Sequence, residues 1–308
     1  MTERMSQNHV LITGANGHLG FRVVASALDA GHKVRAVVRR AEAGDQIKAA
    51  ESIQPHLSSL EVVVVENLLG EGVFDEPLKG MDRVIHVASP LTKQTDKYLE
   101  EVVEPARQMT MAADLAPIPK QEDIKSWTEA YRASKIIARA ESMGWLAETK
   151  PGFDIINILP SVILGYNELT TSTKSMLSSG TNRLVASIVS GVPVTGTISL
   201  GGTVHVNDCA KLHVQALDPA IQGNRDFLAH ATKMDWGDDS IAKIARENFR
   251  EDVESGLLPL NGKISGLNID FDSTETEKVF GIKWIGLKDQ VKSVVTQYVD
   301  LAGVFLVE

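Results

Sequence analysis

Apolar positions along the chain alternate between two periods. Short β-branched runs at residues 9–13, 33–38, 60–65 and 83–88 read as strands. The first two are separated by residues 21–30, whose apolar positions fall at helical spacing, and Gly31 is a natural helix stop. Residues 41–53 read as a second helix that ends before Pro55. The run at 60–65 is continuous and Val-rich, the pattern of a strand buried on both faces. Further on, 154–159 and 199–206 read as strands, and 126–148, 208–217 and 287–301 as helices. Strands alternating with helices at this interval predict βαβ units and an α/β fold built on a doubly wound parallel sheet.

Composition adds little to that picture but excludes several partners. The chain has 308 residues, 43% hydrophobic and 23% charged, with a formal net charge of -9. No basic stripe appears, which argues against a nucleic-acid partner. No stretch approaches ~18 uninterrupted apolar residues, so no membrane span is expected. Residues 1–8 carry no apolar core, so no signal peptide is visible, and Cys209 is the single cysteine. Both features fit a cytoplasmic protein. Cys209 lies in an apolar run and reads as a small buried residue. The eight histidines form no compact cluster, so a metal site is not expected, and His205 and His213 read as structural.

Thr13-Gly14-Ala-Asn16-Gly17-His18-Leu19-Gly20 stands between the first strand and the first helix. In that context Gly14 permits a tight turn, Gly17 lets backbone approach a pyrophosphate, and Gly20 lets the helix pack closely. The helix N-terminus offers free N–H groups to the phosphates. The second strand ends Val37-Val38-Arg39-Arg40, with no acidic residue to take a ribose 2′-hydroxyl. An Arg there suits a 2′-phosphate, which favours NADP(H) over NAD. On the helix at 126–148, Tyr131 and Lys135 lie four apart and so share a face. An ammonium beside a phenol favours the phenolate, lowers the phenol pKa and makes a usable proton donor near neutral pH.

Taken together, these residues resemble the extended short-chain dehydrogenase/reductase superfamily, of the NAD(P)-dependent epimerase/dehydratase type. The likeness is to the branch of dihydroflavonol reductases, cinnamoyl-CoA reductases and aldehyde/ketone reductases. It rests on the glycine loop, Val37-Val-Arg39, Val84-Ile-His-Val-Ala-Ser-Pro90, Tyr131-x-x-x-Lys135, Leu159-Pro-Ser-Val-Ile-Leu-Gly165 and His205-Val-Asn-Asp-Cys-Ala210. The resemblance implies a Rossmann-like domain over 1–165. Residues 166–308 would form mainly a substrate lobe, with some segments returning to the first domain. It implies carbonyl reduction by NADPH, with Tyr131 as proton donor and Lys135 as its helper and holder of the nicotinamide ribose, so that both count among the cofactor-binding residues. Gly14, Asn16, Gly17, His18, Leu19 and Gly20 would cradle the pyrophosphate and Arg39 the 2′-phosphate. Asn67 and Leu68 would meet the adenine, Ala88 would lie along the cofactor, and Pro160 would begin the loop beside the nicotinamide.

The chain departs from the family pattern twice. An Asp is usual at the position of Asn67, although an amide can still hydrogen-bond a base edge. More consequentially, Ser89 and Tyr131 are only 42 positions apart, and residues 109–131 hold no β-branched run. Residues 102–106 resemble the start of the family's long helix and 113–119 the loop before the Tyr helix. The next strand, with its catalytic Ser, is missing from this interval. Without it, the flanking strands either pair directly or leave a gap. Ser89 is the least poor replacement hydroxyl, ahead of Ser126 and Thr128. Besides a carbonyl reductase on a small molecule, the sequence allows a cofactor-binding protein without turnover, a shortened gene product that folds poorly, and a sugar-nucleotide epimerase or dehydratase.

Overall fold

β1 (His9–Thr13), α1 (His18–Asp29) and β2 (Lys33–Val38) form the first right-handed βαβ unit. The structure is a computed structural model that describes residues 7–89, 127–193, 201–264 and 269–303, with the side chains of 127–129 and 132 outside that set. Strands β1 and β2 run parallel from His9↔Lys33 to Thr13↔Val37. After α2 (Ala41–Ala49) the chain does not continue helical to 53. Ala50 takes an extended ψ of 138°, and a 3₁₀ segment, Glu51–Ser59, carries Pro55 within it. β3 (Leu60–Val64) then pairs with β2.

The next strand, β4 (Arg83–His86), returns to the other side of β1, so the sheet order is β3-β2-β1-β4. That reversal between β1 and β4 opens a crevice at the strands' C-terminal ends, where ligands bind in open parallel sheets. β3 is the outer strand, not a doubly covered one: its residues are half-buried or exposed, and Val64 is 44% exposed. The reason is topological, since a Val-rich run cannot itself reveal which strand lies at the edge.

The first core packs α1 through Phe21, Val24 and Leu28 against Val10, Ile12, Val34 and Ala36 of the sheet. Each fully buried side chain of this size contributes roughly 1.5–3 kcal/mol. Ala210, Val214 and Leu217 join the same core, so α6 (Val206–Gln215) and the turn after it close its open side.

α3 (Trp127–Thr149) carries Tyr131 and Lys135. Arg139 Nε donates to Asp226 Oδ2 at 2.8 Å, and Asn157 Nδ2 donates to the other oxygen at 2.8 Å. These bonds tie α3 to β5 (Ile156–Pro160) and β8 (Arg225–Ala229), which pair parallel with each other. β6 (Val162–Leu164) pairs with β7 (Thr203–His205). Among the described residues no strand stands between β4 and β5: β4 pairs only with β1, and β5 only with β8. Val84 of β4 is 49% exposed. The stretches 102–106, 113–119 and Ser126 lie outside the described residues.

A second core gathers α4 (Thr173–Ser178), α5 (Asn182–Ser190), α7 (Ser240–Asn248) and α10 (Leu287–Gly303). Leu184, Val185, Trp236, Ile241, Leu258, Val291 and Val295 fill it. Among the described residues no helix is long and apolar enough to cross a membrane.

Candidate functional site

The glycine loop sits at the β1–β4 crevice, and its geometry states why glycine is needed. Gly14 has φ 68°, a left-handed conformation that disfavours any side chain. A Cβ there would also fall 2.8 Å from the backbone N and Cα of Ala88. At Gly20 a Cβ would fall 2.0 Å from the Gly14 carbonyl oxygen, so the helix packs against the loop itself. Gly17 donates its N–H to Gly14 O at 2.9 Å and precedes α1 as its N-cap. No side chain caps α1 and no acidic residue occupies its first turn, so its N–H groups and dipole are open to an anion. Asn16 and Gly17 are exposed at the loop's tip, and Leu19 packs against the first core.

Arg39 and Arg40 follow β2, next to the loop, where Ala15 N–H donates to Val37 O at 3.4 Å. Both are exposed, and among the described residues no carboxylate pairs with either. Asn67 is exposed, and its Oδ1 accepts from Leu69 N at 3.0 Å. That bond turns the Nδ2 donors outward, which suits a ring nitrogen more than an exocyclic amine. Leu68 packs beside Val65 and Leu11. These features could hold a dinucleotide: close backbone at Gly14, an uncapped helix start and, among the described residues, guanidinium groups without a carboxylate partner.

A hydrogen-bonded knot fixes the end of β4. Ala88 N donates to Thr13 Oγ1 at 3.3 Å, and Thr13 Oγ1 lies 2.8 Å from His86 Nδ1. With Thr13 accepting from Ala88, its own O–H donates to Nδ1 and leaves the His86 proton on Nε2. Burial first, and then the Lys135 ammonium, hold the His86 imidazole below its ordinary range, although the residue's outer edge is exposed. Thr13 and His86 had no assigned role in the sequence reading. Their pairing depends on the β1–β4 register Thr13↔His86, which no local pattern announces.

One residue beyond the knot, Ser89 Oγ accepts from Lys135 Nζ at 2.8 Å. The same ammonium lies 5.4 Å from the Tyr131 ring centroid. The helical spacing thus places Tyr131 and Lys135 together, at the C-terminal end of β4. One expectation is reversed: in this structure burial raises the Tyr131 phenol pKa, and burial lowers that of Lys135. Removal of the phenol from water disfavours its charged form. Tyr131 is therefore a protonated donor at neutral pH. Pro160 ends β5 opposite Ala229 and is exposed. Thr128 lies outside the described side chains.

His18 does not turn its imidazole to the phosphate loop. Its Nε2 lies 3.0 Å from Gly165 O, a bond across 147 residues, and Asn182 Nδ2 donates to the same oxygen. Only its backbone remains at the start of α1. Burial, with His205 nearby, holds His18 at about 4; burial and then Arg22 hold His205 at about 4. His205 Nδ1 accepts from Asn207 N at 3.1 Å and His213 Nδ1 lies 2.8 Å from Cys209 O, so both have structural partners. Cys209 is buried and its burial pushes the thiol far up. Among the described residues no cluster of three metal-ligating side chains occurs.

The depressed histidines set an acid limit. The folded values lie below the unfolded 6.5, so as pH falls the unfolded chain binds protons first and stability is lost between about 6.5 and 4. Each histidine accounts for on the order of 3 kcal/mol across that window. His18→Gln keeps an N–H for Gly165 and removes one titration. Urea unfolding at pH 7 and 4.5 is expected to show a smaller acid loss in this variant than in the parent.

Comparison with known proteins gives concordant likenesses. Residues 6–119 match the NmrA-like family. "Ketoreductase CTB6" of Cercospora nicotianae is 29% identical, covering 96% of this chain and 96% of that protein. Its alignment runs over 347 positions, more than the 308 residues of the whole chain, so the relative carries segments without a counterpart here. "NAD-dependent epimerase/dehydratase ALT6" of Alternaria alternata is 25% identical over 95% of this chain and 98% of that protein. Among solved structures, yeast methylglyoxal/isovaleraldehyde reductase Gre2, complexed with NADPH, aligns with a TM-score of 0.77 at 18% identity. It covers 96% of this chain and 99% of that chain.

Proposed function

Since the chain belongs to the extended short-chain dehydrogenase/reductase superfamily, in its ketoreductase branch, we propose that it reduces a ketone or aldehyde of a small organic molecule with NADPH. The observation that carries this reading is the meeting of Lys135, Ser89 and Tyr131 at the end of β4, one residue from the backbone packed on Gly14.

The cradle fits the cofactor. Gly14, Asn16, Gly17, His18, Leu19 and Gly20 would hold its pyrophosphate by backbone, and Arg39 its 2′-phosphate. Asn67 and Leu68 would face its adenine, with Ala88 and Pro160 along the nicotinamide side. Bound NADPH supplies a hydride to the carbonyl carbon. Tyr131 donates its phenolic proton to the carbonyl oxygen, and the Lys135 ammonium stabilises the phenolate that forms. A reducing compartment, the cytoplasm, suits the lone buried thiol of Cys209.

Steady-state NADPH oxidation against a panel of small ketones and aldehydes tests the proposal, and no turnover with any of them would sink it. Arg39→Ala separates the two nicotinamide cofactors. Loss of a charged hydrogen bond of about 1.5–3 kcal/mol predicts a KM for NADPH raised roughly 10–100-fold, with NADH barely affected. A second reading, a cofactor-binding protein without turnover, is favoured by the sheet pairing: among the described residues β4 pairs only with β1 and β5 only with β8. It predicts NADPH binding in calorimetry with no consumption in the same panel.

A further inference from the structure

We propose that Ser89 is the positioning residue for Lys135: the hydroxyl at the end of the fourth strand, not one on a further strand, sets where the ammonium beside Tyr131 stands. For its kinetic consequence this rests on the reductase reading above.

A lysine ammonium on a four-carbon stem loses about 2 kcal/mol of rotamer freedom when it is fixed, and water competes for its three donors. Burial holds the Lys135 amine below its ordinary range, yet the residue keeps substantial exposure, so packing alone does not decide where the charge goes. Its hydrogen bond to Ser89 Oγ, at 2.8 Å and across 46 positions, does. The anchor itself is rigid. Ser89 follows Ala88, which is held by its N–H on Thr13 Oγ1 and by the close approach of its backbone to Gly14. Thr13 is in turn bonded to His86 on the same strand. The hydroxyl is thus carried by a strand end that β1 and the glycine loop constrain, and it meets the lysine of α3.

Among the described residues, the hydroxyl nearest to Lys135 in sequence is otherwise engaged. Ser134, one residue from Lys135, donates its hydroxyl to the Tyr131 carbonyl at 2.7 Å and so belongs to the helix. Residues 109–131 hold no β-branched run, and Ser126 and Thr128 lie outside the described side chains. The Ser89 oxygen accepts from Lys135, and its own O–H remains available as a donor on the face shared with Tyr131.

Two readouts test this, one of them free of cofactor. Reductive ¹³C-methylation of the lysines, with Lys135→Arg to assign the signal, follows the Lys135 titration by NMR in the protein alone. Among the described residues His86 on β4 and Tyr131 on α3 are the titratable groups that face this ammonium, and both are present in every variant used. Ser89 stabilises the charged amine by accepting from it, so Ser89→Ala is expected to lower the Lys135 midpoint, and Ser89→Thr to restore it. In unmodified protein Ser89→Ala is expected to lower kcat about tenfold, with KM for the carbonyl substrate unchanged and recovery in Ser89→Thr. A midpoint and kcat that both stay at the parent values in Ser89→Ala would overturn the assignment. A midpoint that moves in a protein with no NADPH turnover would overturn the reductase reading and leave the Ser89–Lys135 assignment standing.

Discussion

Tyr131→Phe is expected to abolish most NADPH-dependent carbonyl reduction while leaving cofactor binding intact. The ring is half-buried on α3 and keeps its packing in the variant, so only the phenolic O–H is lost. That proton is the one the reaction needs at the carbonyl oxygen. Burial raises its pKa, which keeps it on the phenol at neutral pH and makes the residue an acid in the direction of reduction. Removal of a positioned general acid typically costs about 10²–10⁴ in rate. The check is kcat by steady-state NADPH oxidation, alongside NADPH affinity by calorimetry and the thermal midpoint. A fall in kcat with both of the latter unchanged identifies a chemical loss. An unchanged kcat would mean that another group protonates the substrate.

Gly20→Ala is expected to cost more than any other single methyl added to the glycine loop. The new Cβ would stand 2.0 Å from Gly14 O, 2.7 Å from Gly14 C and 3.3 Å from Ala15 Cα. All three are backbone atoms, so no side chain can swing aside. Either α1 moves away from the loop or the Gly14 turn opens. Both break the Gly17 N–H to Gly14 O bond and the contact of Gly14 with Ala88. Overpacking of this kind costs about 1–3 kcal/mol, occasionally more, and here it falls on the phosphate cradle as well. Chemical denaturation and NADPH calorimetry are expected to show lower stability and lost affinity together. Gly152→Ala, where the methyl meets nothing within 4 Å, is the control and is expected to change neither.

The parts of the molecule legible in the sequence were those that one segment determines. His9–Thr13 and Lys33–Val38 are strands with the boundaries read from their β-branched runs, because the flanking glycines and polar residues end them locally. The Tyr131/Lys135 pair was legible because helical spacing alone places them on one face. What required distant residues was not. The Val-rich run of β3 reads as doubly covered, and its place at the sheet edge depends on where β4 returns. The three-residue β6 exists only by pairing with β7, some forty positions on, as roughly expected for strands too short to carry their own signal. The lysine's partner was visible only as a hydroxyl of the right type, since 46 positions separate it from Ser89. The imidazole of His18 looked like part of the loop and instead reaches Gly165, because an apolar helix face and a distant carbonyl compete for it.

The sharing of the first core by α6 bears on how such a chain can be cut and recombined. Ala210, Val214 and Leu217 cover a helix that was synthesised nearly two hundred residues earlier in roughly the manner of a clasp. A fragment ending near residue 165 would lack Ala210, Val214 and Leu217 and so expose the side of the first core that α6 covers. Truncation there removes part of the first core, so the first half is expected to be less stable alone than within the whole chain.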